Sequence, residues 1–481
     1  MRALALSPCS TTRTAADAGH RGRHTRRSPR WWVAALAWLV VGPFPAVPDA
    51  RAQAPVQPPA PPSQAPYQNP YQPPRPVSLA DETARVLAGM PVRGGSGMEA
   101  VAASAAARNH AAAMEEMWAN WERFRLQRMR EWAALTVQPQ IPRPRTMFYL
   151  FGGPDLVSVV TLFPGADLYT LGGLEPVGQI PDLRQMSAEE LAGSLDQIRF
   201  NLRSIQEKGF FETREMRADL ARGSVSGVWP ILALFAVRTG HEIIDWGPIG
   251  LDGNGEVVDG GGSGGPSGVR LRLRMLDPGP GFPMVQTVHY FTADISDGGI
   301  RANGRYLSYL QKQAPGGAYL KAASYLMHGG NFNQIRSFLL ERPQFLLQDS
   351  SGVPARHFDP DVWEMQMYGR YAGPVETFQQ HDQPLLREWF NGPVWRGPLP
   401  FGTNYRYTDE DAHQMLFFRR SANLPLRATA APVAPPPGAV PPGFERPPPP
   451  VAPPASGPAP QEPEIRRAVP VPVPPTAPPS F

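Results

Sequence analysis

The chain has 481 residues, with 46 Lys and Arg against 42 Asp and Glu, 60 prolines and a single cysteine, Cys9. The positive excess belongs to the first 52 residues, which hold eight Arg and two Asp; the rest carries 38 basic and 40 acidic residues, so charge gives no ground for a nucleic-acid partner. Cys9 lies in the same leading segment, and a chain starting after it has no thiol for a disulfide, a nucleophile or a Cys-ligated zinc or iron–sulfur site.

An Arg-rich stretch ending at Arg30 runs into the apolar block Trp31 to Val41 and closes on Ala50-Arg51-Ala52, the pattern of a signal peptide cut before Gln53. Export to the periplasm or beyond is expected, by the general route or, on the poor match around Arg26-Arg27, the twin-arginine route. The alternative is an uncut N-terminal anchor, although the block is short against the ~20 residues of a membrane span. No integral membrane span is expected after cleavage. Residues 53–78 and 426–481 are Pro-rich and lack apolar mass for a core, so they are expected to be extended, disordered arms. Between them lie a helical unit, 79–138, and an α/β core domain, 139–425, read as a mixed sheet with helices on its faces.

In the helical unit Met114, Met117, Trp118, Trp121, Phe124 and Trp132 recur at three- and four-residue steps, an apolar stripe for docking on the core. Next, Met147 to Phe151 reads as a buried strand, Gly152-Gly153-Pro154-Asp155 as a turn, Leu156 to Phe163 as a short helix and Asp167 to Glu175 as a second strand. A helix from Ser187 to Lys208 opens with a Ser187/Glu190 capping box and buries Leu191, Leu195, Ile198, Leu202 and Ile205. Helices near 213–222 and 230–238 follow. Residues 242–311 look β-rich: Val269 to Met275 alternates strictly, with Arg270, Arg272 and Arg274 on one face, and 286–295 reads as its antiparallel neighbour.

The strand, turn, helix and strand of 148–175 are matched at 324–351 under a shift of 176 positions. The shift lays Gly153 on Gly329 and Asp155 on Asn331, and it meets Leu156, Val159, Leu162 and Phe163 with Phe332, Ile335, Phe338 and Leu339. The two strands, 147–151 and 323–328, are expected to be parallel in one sheet with their turns on one edge. There the carboxyl ends of the strands would flank a crevice.

Phe148-Tyr-Leu-Phe-Gly-Gly-Pro-Asp-Leu, Leu162-Phe-Pro-Gly-Ala and Tyr169 to Gly178, with Tyr319 to His328, Ile335-Arg336, Gln348 to Pro354 and Pro398 to Gly402, resemble a family of exported bacterial proteins of unknown function. The resemblance spans roughly residues 145–420 and implies no activity, so it carries over no catalytic residue.

Other motifs read as ordinary structure. His241-Glu242 opens a zincin-like pattern, but Asp245 stands where the second His is needed, and Ile243-Ile244 favours a strand. Gly261 to Gly265 has the letters of a nucleophile elbow without a strand before it or a helix after it. Asp252 to Glu256 is a polar hairpin loop in place of a calcium loop. No metal is expected at His289, Asp294 and Asp297. Glu175 stands where a dinucleotide fold carries its ribose-binding acid, but the Gly-x-Gly-x-x-Gly loop is absent, and no cofactor is expected. The candidate ligand site is His328, Asn331, Asp349, Gly153, Gly329, Asp155 and Glu175, with Asn331 capping a helix. The expected role is a cell-envelope binding or scaffolding module whose partner is an envelope component or a small ligand; the rival is a periplasmic hydrolase using the Asp, His and Asn side chains.

Overall fold

The computed structural model describes residues 77–208, 223–261, 264–279, 281–374, 376–393, 396–402 and 412–420. The leader, the Pro-rich arms apart from residues 77 and 78, and the helix expected at 213–222 lie outside these residues, as does part of the Gly261 to Gly265 loop. Among the described residues no helix is long and apolar enough to cross a membrane.

Eleven strands make one mixed sheet. They are β1 (Thr146–Tyr149), β2 (Leu168–Gly173), β3 (His241–Leu251), β4 (Val257–Asp259), β5 (Ser267–Met275), β6 (Val285–Thr292), β7 (Gly317–Leu320), β8 (Phe345–Gln348), β9 (Trp363–Gly369), β10 (Arg396–Gly397) and β11 (His413–Arg419). Their order is β10-β9-β11-β8-β7-β1-β2-β6-β5-β3-β4. The middle run β8-β7-β1-β2-β6 is parallel throughout. Antiparallel strands flank it: β11 lies between β8 and β9 on one side, and β5 joins β6 to β3 on the other. Helices cover both faces, so the fold is α/β.

The centre of the sheet is where the chain changes direction. From β1 it passes through the helix Leu156–Leu162 to β2; from the adjacent β7 it passes through Asn333–Glu341 to β8, on the other side. β1 serves both faces because its side chains alternate. Met147 and Tyr149 share a core with Leu156, Val159 and Leu162, whereas Phe148 and Leu150 share the opposite core with Ile335, Phe338 and Leu339. Crossovers that leave neighbouring parallel strands in opposite directions cover opposite faces when both are right-handed.

The two units thus lie parallel in one sheet, but the second begins elsewhere than expected. Residues 323–328 are not a strand; they fall in the 3-10 helix Ala322–His328, and the strand is β7, just before it. Ala322 has φ 58°, which turns the chain out of the sheet directly after Lys321. A run as short as Tyr325-Leu326-Met327 does not distinguish strand from buried helix by periodicity. The shift of 176 fits the helices and fails for the strands before them.

The helical unit belongs to the same core. The segments Ala105–Trp121, Glu122–Leu126, Gln127–Trp132 and Ala133–Val137 run on as one rod, the second and fourth being π turns. Met114, Trp118, Trp121 and Trp132 are buried in the core, Trp118 and Trp121 against Phe235 of the helix Trp229–Arg238 and Trp132 against Tyr368 on β9, whereas Phe124 is 47% exposed. The wide π turn advances the helical register, so Leu126 takes the inward place that α-helical spacing assigns to Phe124. The Ser187/Glu190 box closes in both directions, at 3.2 and 2.9 Å, and the predicted stripe behind it is buried.

β5 alternates as read, and its arginines form cross-strand pairs, Arg270 with Asp259, Arg272 with Asp245 and Arg274 with Glu242. Asp252 to Glu256 is the β3–β4 turn, in which one Asp252 oxygen accepts from the N–H groups of Asn254 and Glu256. The β-rich region ends at β6, and Asp297–Ala302 and Arg305–Lys312 are helical.

Candidate functional site

Parallel strands whose crossovers diverge leave a crevice beyond their carboxyl ends. Here it is a cleft holding about 660 Å³ of space, part of it open to solvent, at the ends of β1, β2, β6 and β7. Its walls are mostly apolar, with Phe151, Leu174, Ile295, Leu326 and Phe332 prominent. Its polar groups are Tyr149, Asp155, Glu175, Asp294 and Lys321, together with the backbone at Gly152, Gly153 and Gly173.

One group of polar side chains forms the floor. Asp155 caps the helix that follows β1, accepting from the Ser158 N–H at 3.2 Å. Its other oxygen accepts from the Tyr149 hydroxyl at 2.8 Å and pairs with Lys321 Nζ at 2.6 Å. Lys321 also donates to Ser158 Oγ at 3.2 Å. Both ends of the ion pair are buried, with side-chain exposures of 4% and 5%. Burial pushes the Lys321 pKa down, while Asp155 and, more weakly, Asp349 pull it back up. Burial also raises the Tyr149 hydroxyl well above its ordinary range, reinforced by the Asp155 charge. Asp155 is therefore fully engaged, and the hydroxyl stays a donor to it.

Glu175 lies at the far side, two residues past β2, and is 2% exposed. Tyr290 donates to its carboxylate at 3.2 Å and to its backbone carbonyl at 2.9 Å, and Thr292 donates to the same carbonyl at 2.7 Å. Among the described residues no Lys or Arg reaches it, and its Oε1 accepts no hydrogen bond. Gly173 makes room for this carboxylate, since a Cβ there would fall 2.1 Å from Oε2. Gly153 has φ 54° and is tied to β2 by its N–H to the Gly172 carbonyl at 3.1 Å, which brings the first turn against Glu175.

Of the predicted site, Gly153, Asp155 and Glu175 line the cleft. Asp349 is buried at the end of β8, accepting from the Ser351 N–H at 2.8 Å, and its charge bears on Lys321 and Tyr149 of the floor. His328, Gly329 and Asn331 are not among its lining residues. The segment after β7 does form a wall, but it presents Leu326 and Phe332. His328 Nε2 sits 3.1 Å from the Gly352 carbonyl, and its ring stands edge-on to His381 at 5.0 Å. Burial, with His381 beside it, pushes its pKa down to about 4. Gly329 has an extended backbone with φ −81°. The expected Asn331 cap does not form; Asp297 of a neighbouring helix accepts the Gln334 N–H at 2.9 Å instead.

Lys321 was missed. Its sequence signal is one of only three lysines, set directly after an apolar strand. Among the described residues no group of three His, Cys, Asp or Glu could hold a metal. His289 instead meets the Tyr309 hydroxyl at 2.9 Å, and His241 on β3 meets Gln286 Oε1 at 2.8 Å. No family model, curated protein or solved structure matches the chain.

Proposed function

We propose that this is an exported envelope protein that binds a small molecule in the cleft at the centre of the sheet. The supporting observation is the cleft itself, an apolar crevice with few convergent polar groups at the carboxyl ends of β1 and β7, where the winding of the sheet reverses. Binding is favoured over hydrolysis because the predicted base and amide do not join the two acids there: His328 and Asn331 are not among the lining residues, and Asp155 is engaged by Lys321, Tyr149 and Ser158.

The test is a thermal-shift screen of a small-molecule library on the full chain and on Leu326→Trp, a change at a 51% exposed position in the cleft wall. Bound ligands should raise the melting temperature of the first and not the second, because stabilisation follows occupancy. Compounds that stabilise both equally, or a screen with no hits, would remove the cleft as a ligand site. Export is tested by N-terminal sequencing of the protein recovered from cells, expected to begin at Gln53; an intact leader in a membrane fraction would show an anchor.

A further inference from the structure

Resting on that reading of the cleft, we infer that its ligand is a ribonucleoside without phosphate, held by its vicinal diol on Glu175. The run β6-β2-β1-β7-β8 is the doubly wound order 3-2-1-4-5, with β1 and β7 astride the point of reversal. In such sheets an acid near the end of the second strand accepts the hydroxyls of a ribose lying across the first turn. Glu175 occupies that place, two residues beyond β2 and beside the Gly152-Gly153 turn.

The carboxylate is prepared for such a ligand. A carboxylate can take about four hydrogen bonds, and this one, almost wholly buried, receives one from the described residues, that of Tyr290. A buried carboxylate without a cation or further donors is costly, and two adjacent hydroxyls supply the missing donors. Glycine at 153 and 173 keeps Cβ atoms away from it, so a sugar can approach. Phe151 and Phe332, with ring centres 6.1 Å apart, and Leu174, Ile295 and Leu326 provide apolar wall for a base.

The same geometry rejects phosphate. In nucleotide-binding folds the helix after the first strand receives the phosphate on its free N–H groups. Here Asp155 has taken that position, capping the helix through the Ser158 N–H and placing a carboxylate there. Glu175 and Asp294 add negative charge, and among the described residues the one cation lining the cleft, Lys321, is bound to Asp155. An anionic 5′ group would be repelled, whereas a neutral or cationic one would not.

The test is isothermal titration calorimetry of the full chain with the four common ribonucleosides, their 2′-deoxy counterparts and their 5′-monophosphates. At least one ribonucleoside should bind, with its deoxy form and its monophosphate weaker by about tenfold or more. Glu175→Gln, which preserves shape, should lose that preference for the diol. No binding by any ribonucleoside, deoxy forms that bind equally well, a tighter monophosphate, or an unchanged preference in Glu175→Gln would overturn the inference. If Leu326→Trp loses the library ligands of the thermal-shift screen but no nucleoside binds, only the ligand class fails. If nucleosides bind Leu326→Trp as well as the unaltered chain, the cleft reading fails with it.

Discussion

The two parallel units at the centre of the sheet have the same order of strand, helix and strand, yet they handle the turn at the cleft differently. In the first, Gly152 to Asp155 joins β1 to its helix directly, and Asp155 supplies the cap from its own side chain. In the second, Ala322 turns the chain into a 3-10 helix, and the following helix receives its side-chain acceptor from Asp297, far along the chain. The tight turn brings in acid and the long one brings in Lys321, so the floor of the cleft is complete only when both halves have folded against each other. A buried ion pair contributed one charge per half couples the units, and cutting it should show how strongly.

Lys321→Met leaves Asp155 buried without its cation and should cost about 3–5 kcal/mol, since removing one member of a buried pair strands the other. Asp155→Asn combined with Lys321→Met should recover a large part of that loss while retaining the cap. Urea unfolding of the three chains measures both effects, and equal losses in the single and double variants would mean that the charges are not coupled.

Acid should act next most strongly. Burial depresses three histidines to about 4 from an ordinary value of 6.5: His110, His289 and, in the second turn, His328. The Arg199 guanidinium also donates to His110 Nδ1 at 3.0 Å, which requires a neutral ring. Above 6.5 these groups are neutral in both states and their contribution to stability is full. As the pH falls from 6.5 to 4 the unfolded chain takes up protons that the folded chain refuses, and stability drops by at most about 1.4 kcal/mol per pH unit for each His. Unfolding midpoints measured at steps across that window should fall, and fall less in His328→Gln; identical slopes would show that His328 titrates normally.

The glycines compare the turns themselves. Gly153→Ala places a Cβ at φ 54° and 3.3 Å from the Glu175 carboxylate, and it should cost roughly 1–2 kcal/mol. Gly329→Ala has φ −81° and no neighbour nearer than 3.6 Å, so it should be neutral or slightly stabilising. Thermal melts of the pair decide the point, and equal losses would remove the distinction between the turns. The smallest effect is expected at Phe124, where Phe124→Ser should change stability by less than about 0.5 kcal/mol because the π turn leaves the ring outside. A core-sized loss there would contradict the register.

What the sequence made legible was local. The Ser187/Glu190 box, the alternation of β5 and the Gly152 to Asp155 turn each rest on residues a few positions apart, whose physics is complete within one element. That the second strand is β7, and that Lys321 joins the floor of the cleft, was not legible, because 163 residues separate Ser158 from Lys321 and no local pattern pairs them. Pattern also failed where the backbone broke rank: the positive φ at Ala322 turned an apolar run into a 3-10 helix, and the π turn rotated Phe124 outward. His328 was singled out for its chemistry but packs against the Gly352 carbonyl and His381, whereas Glu175, set aside as a ribose-binding acid for want of the glycine loop but kept among the candidate ligand residues, lies inside the cleft.

The central claim is that a ligand occupies this cleft, and thiol protection tests it most directly because Cys9 is the only cysteine in the chain. In the full chain carrying Cys9→Ser, Leu326→Cys places a thiol in the cleft wall and Leu135→Cys places one at a position 83% exposed and outside its lining. The best-binding ribonucleoside at saturation should slow iodoacetamide alkylation of the first by about tenfold or more, in proportion to occupancy, and leave the second unchanged. Equal rates with and without the ligand at Leu326→Cys, or equal slowing at both positions, would contradict the account.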